Sequence, residues 1–302
     1  MRPDPQQIRH VACIGAGTIG AGWAAYFLSR GLSVAVTDPG PDAEALLHRI
    51  IDESWPSLEA LGLPAGADRG KVKFFPTVAE AVKGAEFVQE SAPDRLELKT
   101  ALLAEADGLL PPEIVMASST STFLPSALGA RCKHPERIIV GHPFAPAHLL
   151  PLVEVVGSGT TPPEVLDWAF TFYAALGKRP LRLKKEIQSF IANRLQYAII
   201  DEANRLIDAG VCDYEDIDTA MTQGIGLRWA FMGPAMCAHL GGGKGGLKHR
   251  LEHLGWRGSE ATKASLSAAV EEIAGGVAMD DLERWRDANL VAQRHALKPL
   301  AK

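Results

Sequence analysis

Residues 8–38 read IRHVACIGAGTIGAGWAAYFLSRGLSVAVTD, and this stretch decides the fold. It contains a short apolar run, a glycine-rich loop, an alanine-rich segment of helical length and a second β-branched run. A glycine-rich loop between a strand and a helix brings the backbone close to a diphosphate and aims helix N–H groups at it. The stretch therefore predicts the first β-α-β unit of a dinucleotide-binding domain, with cofactor contacts from Gly15, Gly17, Thr18, Ile19 and Gly20.

The second β-branched run ends in Asp38, at the distance from the loop where a carboxylate bonds the adenosine ribose hydroxyls. A carboxylate there repels the 2′-phosphate of NADP, and the next basic residues, His48 and Arg49, lie well beyond the turn. The sequence therefore predicts NAD as the cofactor. The alternative is an ordinary glycine turn followed by a solvated aspartate.

Further short apolar runs alternate with helix-length segments along residues 85–91, 113–119, 137–141, 150–157 and 179–184. This alternation predicts an α/β fold, a Rossmann-type, doubly wound, mostly parallel sheet with a helix from near Pro163 to Gly177. After about residue 186 apolar positions recur at helical spacing, as in Met279 to Leu300. We therefore expect an NAD-binding domain over residues 1–186 and an all-helical second domain over residues 187–302.

The composition excludes several classes of partner. The formal charge is −5, and the Lys and Arg residues are spread along the chain without a cluster that could bind a phosphate backbone. This argues against nucleic acid as a partner. The four cysteines are far apart with no CxxC, so neither a disulfide framework nor a metal site is expected. A polar N-terminus and the lack of a long apolar span argue against a membrane. We expect a cytoplasmic protein whose partner is a small molecule.

Several ordered motifs identify a family between about residues 8 and 240. They are IGAGTIG (14–20), QESAPDRLELK (89–99), MASSTST (116–122), GHPFAPAHLLPLVEVVG (141–157), FIANRL (190–195) and EDIDTAM (215–221). Together they resemble the 3-hydroxyacyl-CoA dehydrogenase superfamily, and within it the free-acid branch, first the enzymes acting on L-carnitine and next those acting on L-gulonate. The resemblance implies hydride transfer from C3 of a short L-3-hydroxy acid to NAD, and a homodimer formed through the helical domain.

The resemblance places the general base at His142 and its carboxylate partner at Glu154. Oxidising a secondary alcohol requires an acceptor for the hydroxyl proton, and imidazole is the usual one. A carboxylate on its other nitrogen fixes the tautomer and stabilises the imidazolium. The resemblance further implies that Ser121 and Asn193 hydrogen-bond the reacting oxygen and the histidine. The alternative is a structural histidine beside a loop and a glutamate that points to solvent.

The resemblance also puts Ser91, Asp94 and Lys99 beside the cofactor, although an exposed charged helix start would look the same in the sequence. Three departures from the family pattern lie near the reacting carbon. Ala145 replaces the Asn of an Asn-Pro pair, Ser119 replaces the Asn of an NTS motif, and Ser189 replaces a glycine. These changes leave the His–Glu pair intact but alter the expected shape of the pocket.

Arg228 is the predicted clamp for a substrate carboxylate, which a thioester would not need. The alternative is an ion pair with Asp216 or Asp218. A trimethylammonium group would require aromatic faces, for which the candidates are Trp229, Phe231 and Trp23. The competing functions are L-gulonate 3-dehydrogenase, 3-hydroxyacyl-CoA dehydrogenase and a non-catalytic dinucleotide-binding protein, a sensor or crystallin. The His–Glu pair argues against the last.

Overall fold

The computed structural model describes residues 1–297, and the first part of the chain forms one eight-stranded sheet. The strands are β1 (His10–Ile14), β2 (Ser33–Thr37), β3 (Val72–Phe75), β4 (Phe87–Glu90), β5 (Met116–Ser118), β6 (Ile138–Pro143), β7 (Leu152–Gly157) and β8 (Arg179–Arg182). Their spatial order is β3-β2-β1-β4-β5-β6-β7-β8. All neighbouring pairs are parallel except β6 and β7. The predicted Rossmann-type, mostly parallel sheet is confirmed.

Helices pack on both faces of this sheet because its strands are apolar on both sides. In β1, Val11 and Cys13 belong to one hydrophobic cluster, whereas Ala12 and Ile14 belong to another. Burial on both faces explains why the strands read as continuous apolar runs. The helices are α1 (Thr18–Ser29), α2 (Ala43–Ala60), α3 (Val78–Ala81), α4 (Leu96–Leu109), α5 (Pro125–Leu128), α6 (Pro163–Ala175) and α7 (Ala192–Asp208).

The edge strand β3 has no counterpart among the predicted strands. Its sequence, VKFF, contains a lysine, and its residues are half-buried or exposed. An edge strand pairs on one side only, so it needs no long apolar run. The predicted helix between Pro163 and Gly177 is present as α6, and Gly177 has a φ of 89° just after it. A glycine in this conformation ends a helix without steric cost.

The core beside α1 and α6 is aromatic. Trp23 is wholly buried and stacks on Phe27 with ring centroids 5.2 Å apart. The ring centroids of Phe87 in β4 and Phe172 in α6 are 4.4 Å apart, and those of Tyr173 and Trp23 are 5.6 Å apart. The suggestion that Trp23 offers an aromatic face to a ligand is therefore wrong, since its ring is enclosed by these neighbours.

A second compact unit begins at Ala198, within α7, and is helical. Its further elements are α8 (Tyr214–Ala220), a π-helix (Met221–Ile225), α9 (Gly226–Trp229), α10 (Pro234–Leu240), α11 (Gly246–Leu254), α12 (Glu260–Ala274) and α13 (Met279–Ala296). The predicted end of the last helix at Leu300 lies outside the described residues, and the predicted domain boundary at residue 186 stays a prediction. Among residues 1–297, no helix combines the length and apolarity that a membrane span requires.

Candidate active site

A cavity of about 720 Å³ lies at the carboxyl ends of β1, β4, β5 and β6. In open α/β sheets ligands bind outside this edge. Ten of the predicted site residues line the cavity: Gly17, Thr18, Ile19, Asp38, Ser91, Asp94, Lys99, Ser121, His142 and Asn193. Three others, Gly15, Gly20 and Glu154, are not in the lining but lie directly behind it.

The glycine turn after β1 fits a dinucleotide. Gly15 has a φ of 101°, and a Cβ there would lie 2.7 Å from the backbone of Ser91. A Cβ on Gly20 would lie 2.0 Å from the carbonyl oxygen of Gly15, whereas one on Gly17 would meet no atom within 4 Å. Gly15 and Gly20 therefore close the turn, and Gly17 leaves space above it. The first N–H groups of α1 have no side-chain cap and are available to a diphosphate.

Asp38 is held by the backbone of the two turns beside it. Its Oδ2 accepts the N–H of Ala16 and its Oδ1 accepts the N–H of Gly40, both at 2.8 Å. A neighbouring cavity of about 700 Å³ is lined by Asp38 and also by Arg49 of α2. Arg49 lies well beyond the turn in the sequence, but α2 brings it to the wall of the same cavity.

His142 and Glu154 form a buried hydrogen-bonded pair. They are direct partners in the antiparallel register of β6 and β7, and Nδ1 of His142 lies 2.8 Å from Oε2 of Glu154. Glu154 is wholly buried and His142 is 5% exposed. The imidazole lies between the rings of Phe144 and Phe190, at centroid distances of 5.1 and 5.3 Å. With Nδ1 engaged, Nε2 is the ring nitrogen left for a ligand.

The second oxygen of Glu154 binds the start of α7. Oε1 accepts the backbone N–H groups of Ile191 and Ala192 at 2.9 and 3.0 Å. Burial alone would raise the pKa of Glu154, but the hydrogen bonds from His142 and from these two N–H groups outweigh it and lower the pKa. The carboxylate is therefore kept ionised while it orients the imidazole.

The segment before α7 is bent by two residues in the left-handed region. Ser189 has a φ of 62° and Phe190 a φ of 51°. This conformation costs a residue other than glycine about 1 kcal/mol or more. It explains why the family pattern has glycine at position 189, and the bend carries the N–H groups of Ile191 and Ala192 onto Glu154.

Lys99 is buried rather than exposed, which corrects the alternative of a charged, solvated helix start. Its Nζ lies 3.0 Å from Oε1 of Glu90, 3.4 Å from Oδ1 of Asp94 and 2.8 Å from the carbonyl oxygen of Ala92. Glu90 is also buried and accepts the hydroxyl of Ser118 at 2.5 Å. Lys99 thus ties the end of β4 to the segment that follows it, while Glu90 links β4 to Ser118 of β5. The cofactor contact of Lys99 stays a prediction.

Ser121 and Asn193 line the cavity without touching His142 in this structure. The hydroxyl of Ser121 donates to Oδ2 of Asp94 at 3.3 Å. Asn193 is the second residue of α7 and makes no side-chain hydrogen bond within residues 1–297. Their predicted roles toward the reacting oxygen and the histidine remain predictions.

Lys178 is a buried residue that the sequence analysis missed. Its ammonium donates to the carbonyl oxygens of Ala147 and Leu150 at 2.5 and 2.9 Å, and lies over the ring of Tyr26 at 3.8 Å. Burial, helped by the charge of Arg30, lowers the pKa of Lys178 to about 7. Lys178 therefore fixes the loop that follows His142. The run GKRP resembles an exposed turn and gave no signal of this contact.

Arg228 and Trp229 end the short helix α9 in the second unit. Both are exposed, Trp229 to 41%. Within the part of the chain that the structure describes, Arg228 makes no ion pair with Asp216 or Asp218, so the structural alternative for this arginine is not supported. Substrate binding by Arg228 and Trp229 stays a prediction.

Comparisons with known proteins identify both parts of the chain. Residues 10–187 match the model of the 3-hydroxyacyl-CoA dehydrogenase NAD-binding domain, and residues 190–276 match the C-terminal domain of the same family. The chain is 44% identical to the L-carnitine dehydrogenase of Nocardiopsis dassonvillei, over 100% of this chain and 95% of that protein. It is 41% identical to the L-carnitine dehydrogenase of Pseudomonas putida, over 98% of this chain and 96% of that protein.

Solved structures agree with this assignment. An NAD⁺-dependent 5-formyl-3-hydroxy-2-methylpyridine 4-carboxylic acid 5-dehydrogenase superposes with a TM-score of 0.76 at 30% identity, covering 96% of this chain and 98% of that one. The 3-hydroxybutyryl-CoA dehydrogenase of Escherichia coli K12 superposes with a TM-score of 0.67 at 32% identity, covering 78% of this chain and 49% of that one. The chain therefore belongs to the 3-hydroxyacyl-CoA dehydrogenase family and is an NAD-dependent dehydrogenase.

Proposed function

We propose that this enzyme oxidises L-carnitine at C3, transferring hydride to NAD and producing the 3-oxo acid. The observation that carries the chemistry is the buried His142–Glu154 pair beside a cavity that a dinucleotide turn also lines. The choice of carnitine rests on relatives named L-carnitine dehydrogenase that are 40–44% identical over nearly the whole chain.

The residues of the chain supply proton transfer and alignment. Nε2 of His142 takes the hydroxyl proton while the bond between C3 and its hydrogen breaks and the carbonyl forms. Glu154 keeps the Nδ1 proton in place and stabilises the imidazolium. Ser121 and Asn193 are proposed as donors to the reacting oxygen as charge develops on it. NAD, when bound, accepts the hydride.

The cavity suits a substrate with a cationic end. Phe144 lines it and presents an aromatic ring next to His142, and Asp94, which also pairs with Lys99, adds a carboxylate whose side chain is 41% exposed. A trimethylammonium group gains from an aromatic face and from a nearby negative charge. The hydroxyl-rich chain of gulonate needs neither. We retain Arg228 as the proposed clamp for the substrate carboxylate and Trp229 as a proposed neighbour.

A substrate panel tests this function. With NAD in excess, the appearance of NADH is measured with L-carnitine, L-gulonate, 3-hydroxybutyrate and 3-hydroxybutyryl-CoA. We expect the highest kcat/KM with L-carnitine, about tenfold or more above the other acids, because only carnitine engages both the aromatic face and a carboxylate clamp. Turnover of the CoA ester alone would refute the free-acid assignment. NAD binding without turnover of any alcohol would favour the non-catalytic alternative.

Asp38 is proposed to set the preference for NAD. In Asp38→Asn the negative charge is lost, while Arg49 remains on the wall of the neighbouring cavity as a partner for a 2′-phosphate. We expect the ratio of kcat/KM for NADP to that for NAD to rise by about tenfold. Asp42→Asn is the matched control, since Asp42 is exposed in that same cavity and its side chain caps no N–H group. An unchanged ratio would show that Asp38 does not discriminate.

We further propose a homodimer formed through the helical part and a cytoplasmic location. The amphipathic helix α7 has one buried residue, Ala203, while Leu195, Tyr197 and Ile200 are 61%, 49% and 42% exposed. Exposed apolar side chains of this kind gain from burial against a second copy. Sedimentation showing only monomer would contradict the dimer. The four free cysteines suit a reducing compartment. We also propose that residue 186 is the boundary between the NAD-binding domain and the helical domain.

A further inference from the structure

Two serine hydroxyls lie between the glycine turn and His142 along the carboxyl edge of the sheet. The turn follows β1, Ser91 follows β4, Ser119 follows β5, and His142 lies in β6. These four strands are spatial neighbours in that order. If the diphosphate binds at the turn and the alcohol carbon lies at His142, the nicotinamide ring must lie between them. Both serines line the cavity in this interval.

The two serines are attached to a buried polar chain. Their Oγ atoms are 2.8 Å apart, and Nε2 of Gln89 lies 2.8 Å from Oγ of Ser119. The same Nε2 donates to the carbonyl oxygen of Gly141 at 3.3 Å, and the hydroxyl of Tyr173 donates to Oε1 of Gln89 at 2.6 Å. Gln89 and Tyr173 are wholly buried. These hydrogen-bonded side chains thus run from the core to the wall of the cavity.

The direction of each hydrogen bond in this chain follows from its partners. A carbonyl oxygen only accepts, so Gly141 requires the NH₂ group of Gln89 on its side and the amide oxygen toward Tyr173. Nε2 then uses both hydrogens, one on Gly141 and one on Ser119. The contact between the serines uses one of their two hydroxyl hydrogens, whichever serine donates. The other hydrogen has no acceptor among residues 1–297.

The strand that carries His142 is shaped to admit Tyr173. A Cβ on Gly141 would lie 2.1 Å from the Tyr173 hydroxyl, so only glycine fits there. Burial raises the pKa of Tyr173 well above its usual range and keeps the phenol protonated as a donor. The row of hydrogen-bonded side chains therefore ends in a fixed donor, the Tyr173 hydroxyl, inside the core. It orients the serines and offers no route for protons to solvent.

We propose that Ser91 and Ser119 bind the carboxamide of the nicotinamide ring, with Gln89 and Tyr173 as positioning residues. The serine hydroxyl hydrogen that is not used between the two serines is donated to the carboxamide oxygen. A serine oxygen accepts a hydrogen bond from the carboxamide nitrogen. An adjacent donor and acceptor match the two ends of a primary amide. The inference depends on NAD as the cofactor and is independent of the choice of substrate.

The test compares two ligands in the absence of any hydroxy acid. NADH carries the carboxamide, whereas ADP-ribose lacks the whole nicotinamide ring. Dissociation constants are measured by calorimetry for Ser119→Ala, Ser91→Ala and Tyr173→Phe. We expect the serine variants to bind NADH about five- to tenfold more weakly, the loss of one hydrogen bond, with ADP-ribose binding unchanged. Tyr173→Phe should weaken NADH about threefold, because Gln89 loses its donor and is no longer held in one orientation.

Ser33→Ala is the matched control, because Ser33 is a half-buried serine at the amino end of β2, away from the cavity. It should leave both dissociation constants unchanged. Binding of ADP-ribose with wild-type affinity also shows that each variant is folded. Equal weakening of both ligands, or no weakening of NADH, would overturn the proposal. So would unchanged NADH binding with a raised KM for the hydroxy acid, which would assign the serines to the substrate.

Discussion

His142→Gln is expected to lower kcat for alcohol oxidation by about 10²–10⁴-fold, because glutamine offers no atom that accepts the hydroxyl proton near neutral pH. Glutamine retains a polar group of similar size between Phe144 and Phe190. NADH binding, measured without substrate, should therefore change little. The readout is the rate of NADH formation at saturating NAD and hydroxy acid.

His134→Gln is the matched control for this prediction. His134 also pairs with a glutamate, since its Nδ1 lies 3.2 Å from Oε1 of Glu136, but its side chain is 40% exposed and outside the cavity. The control variant should keep the kcat of the wild type. A His142→Gln enzyme with the full kcat would remove this histidine from the mechanism and leave only its structural contact with Glu154.

The sequence was sufficient to place the glycine turn, Asp38 and the His142–Glu154 pair along one edge of the sheet, because the signals there are local. The glycine turn and Asp38 lie within one β-α-β unit, and the pattern of short apolar runs located seven of the eight strands. The contact of His142 with Glu154 also has a local origin, since a hairpin-like connection between neighbouring strands sets their register. Only β3, a half-exposed edge strand, lacked such a pattern.

The missed features depend on contacts between distant parts of the chain. The burial of Lys99 gave no signal in its own helix, because the carboxylate of Glu90 that pairs with it belongs to a neighbouring strand. Arg49 looked remote from Asp38 because the path of α2 cannot be read from spacing. The second role of Glu154 needs backbone N–H groups 37 and 38 residues later, which have no side-chain signature.

Glu154→Gln is expected to reduce kcat by about 10²–10⁴-fold through a change of tautomer at His142. The N–H groups of Ile191 and Ala192 require an acceptor, so the glutamine oxygen takes the place of Oε1. Its NH₂ group then faces Nδ1 of His142, which must become an acceptor and move its proton to Nε2. The nitrogen that should take the substrate proton is then already protonated. NADH formation measures the loss, and NADH binding should be retained.

The same variant separates the catalytic role of Glu154 from its structural one through pH. The pKa of Glu154 is lowered in the folded protein from its usual 4.5. The ionised carboxylate therefore contributes its full stabilisation above that usual value, and this contribution is lost as the pH falls through the lower, folded pKa. We expect urea unfolding near neutral pH to show Glu154→Gln about 1–2 kcal/mol less stable than the wild type, with the difference shrinking in acid.

Glu105→Gln, at an exposed glutamate of α4, is the matched control and should show no difference in stability from the wild type. A stability gap that widens in acid would contradict an ionised Glu154, and an unchanged kcat would contradict its hold on the imidazole.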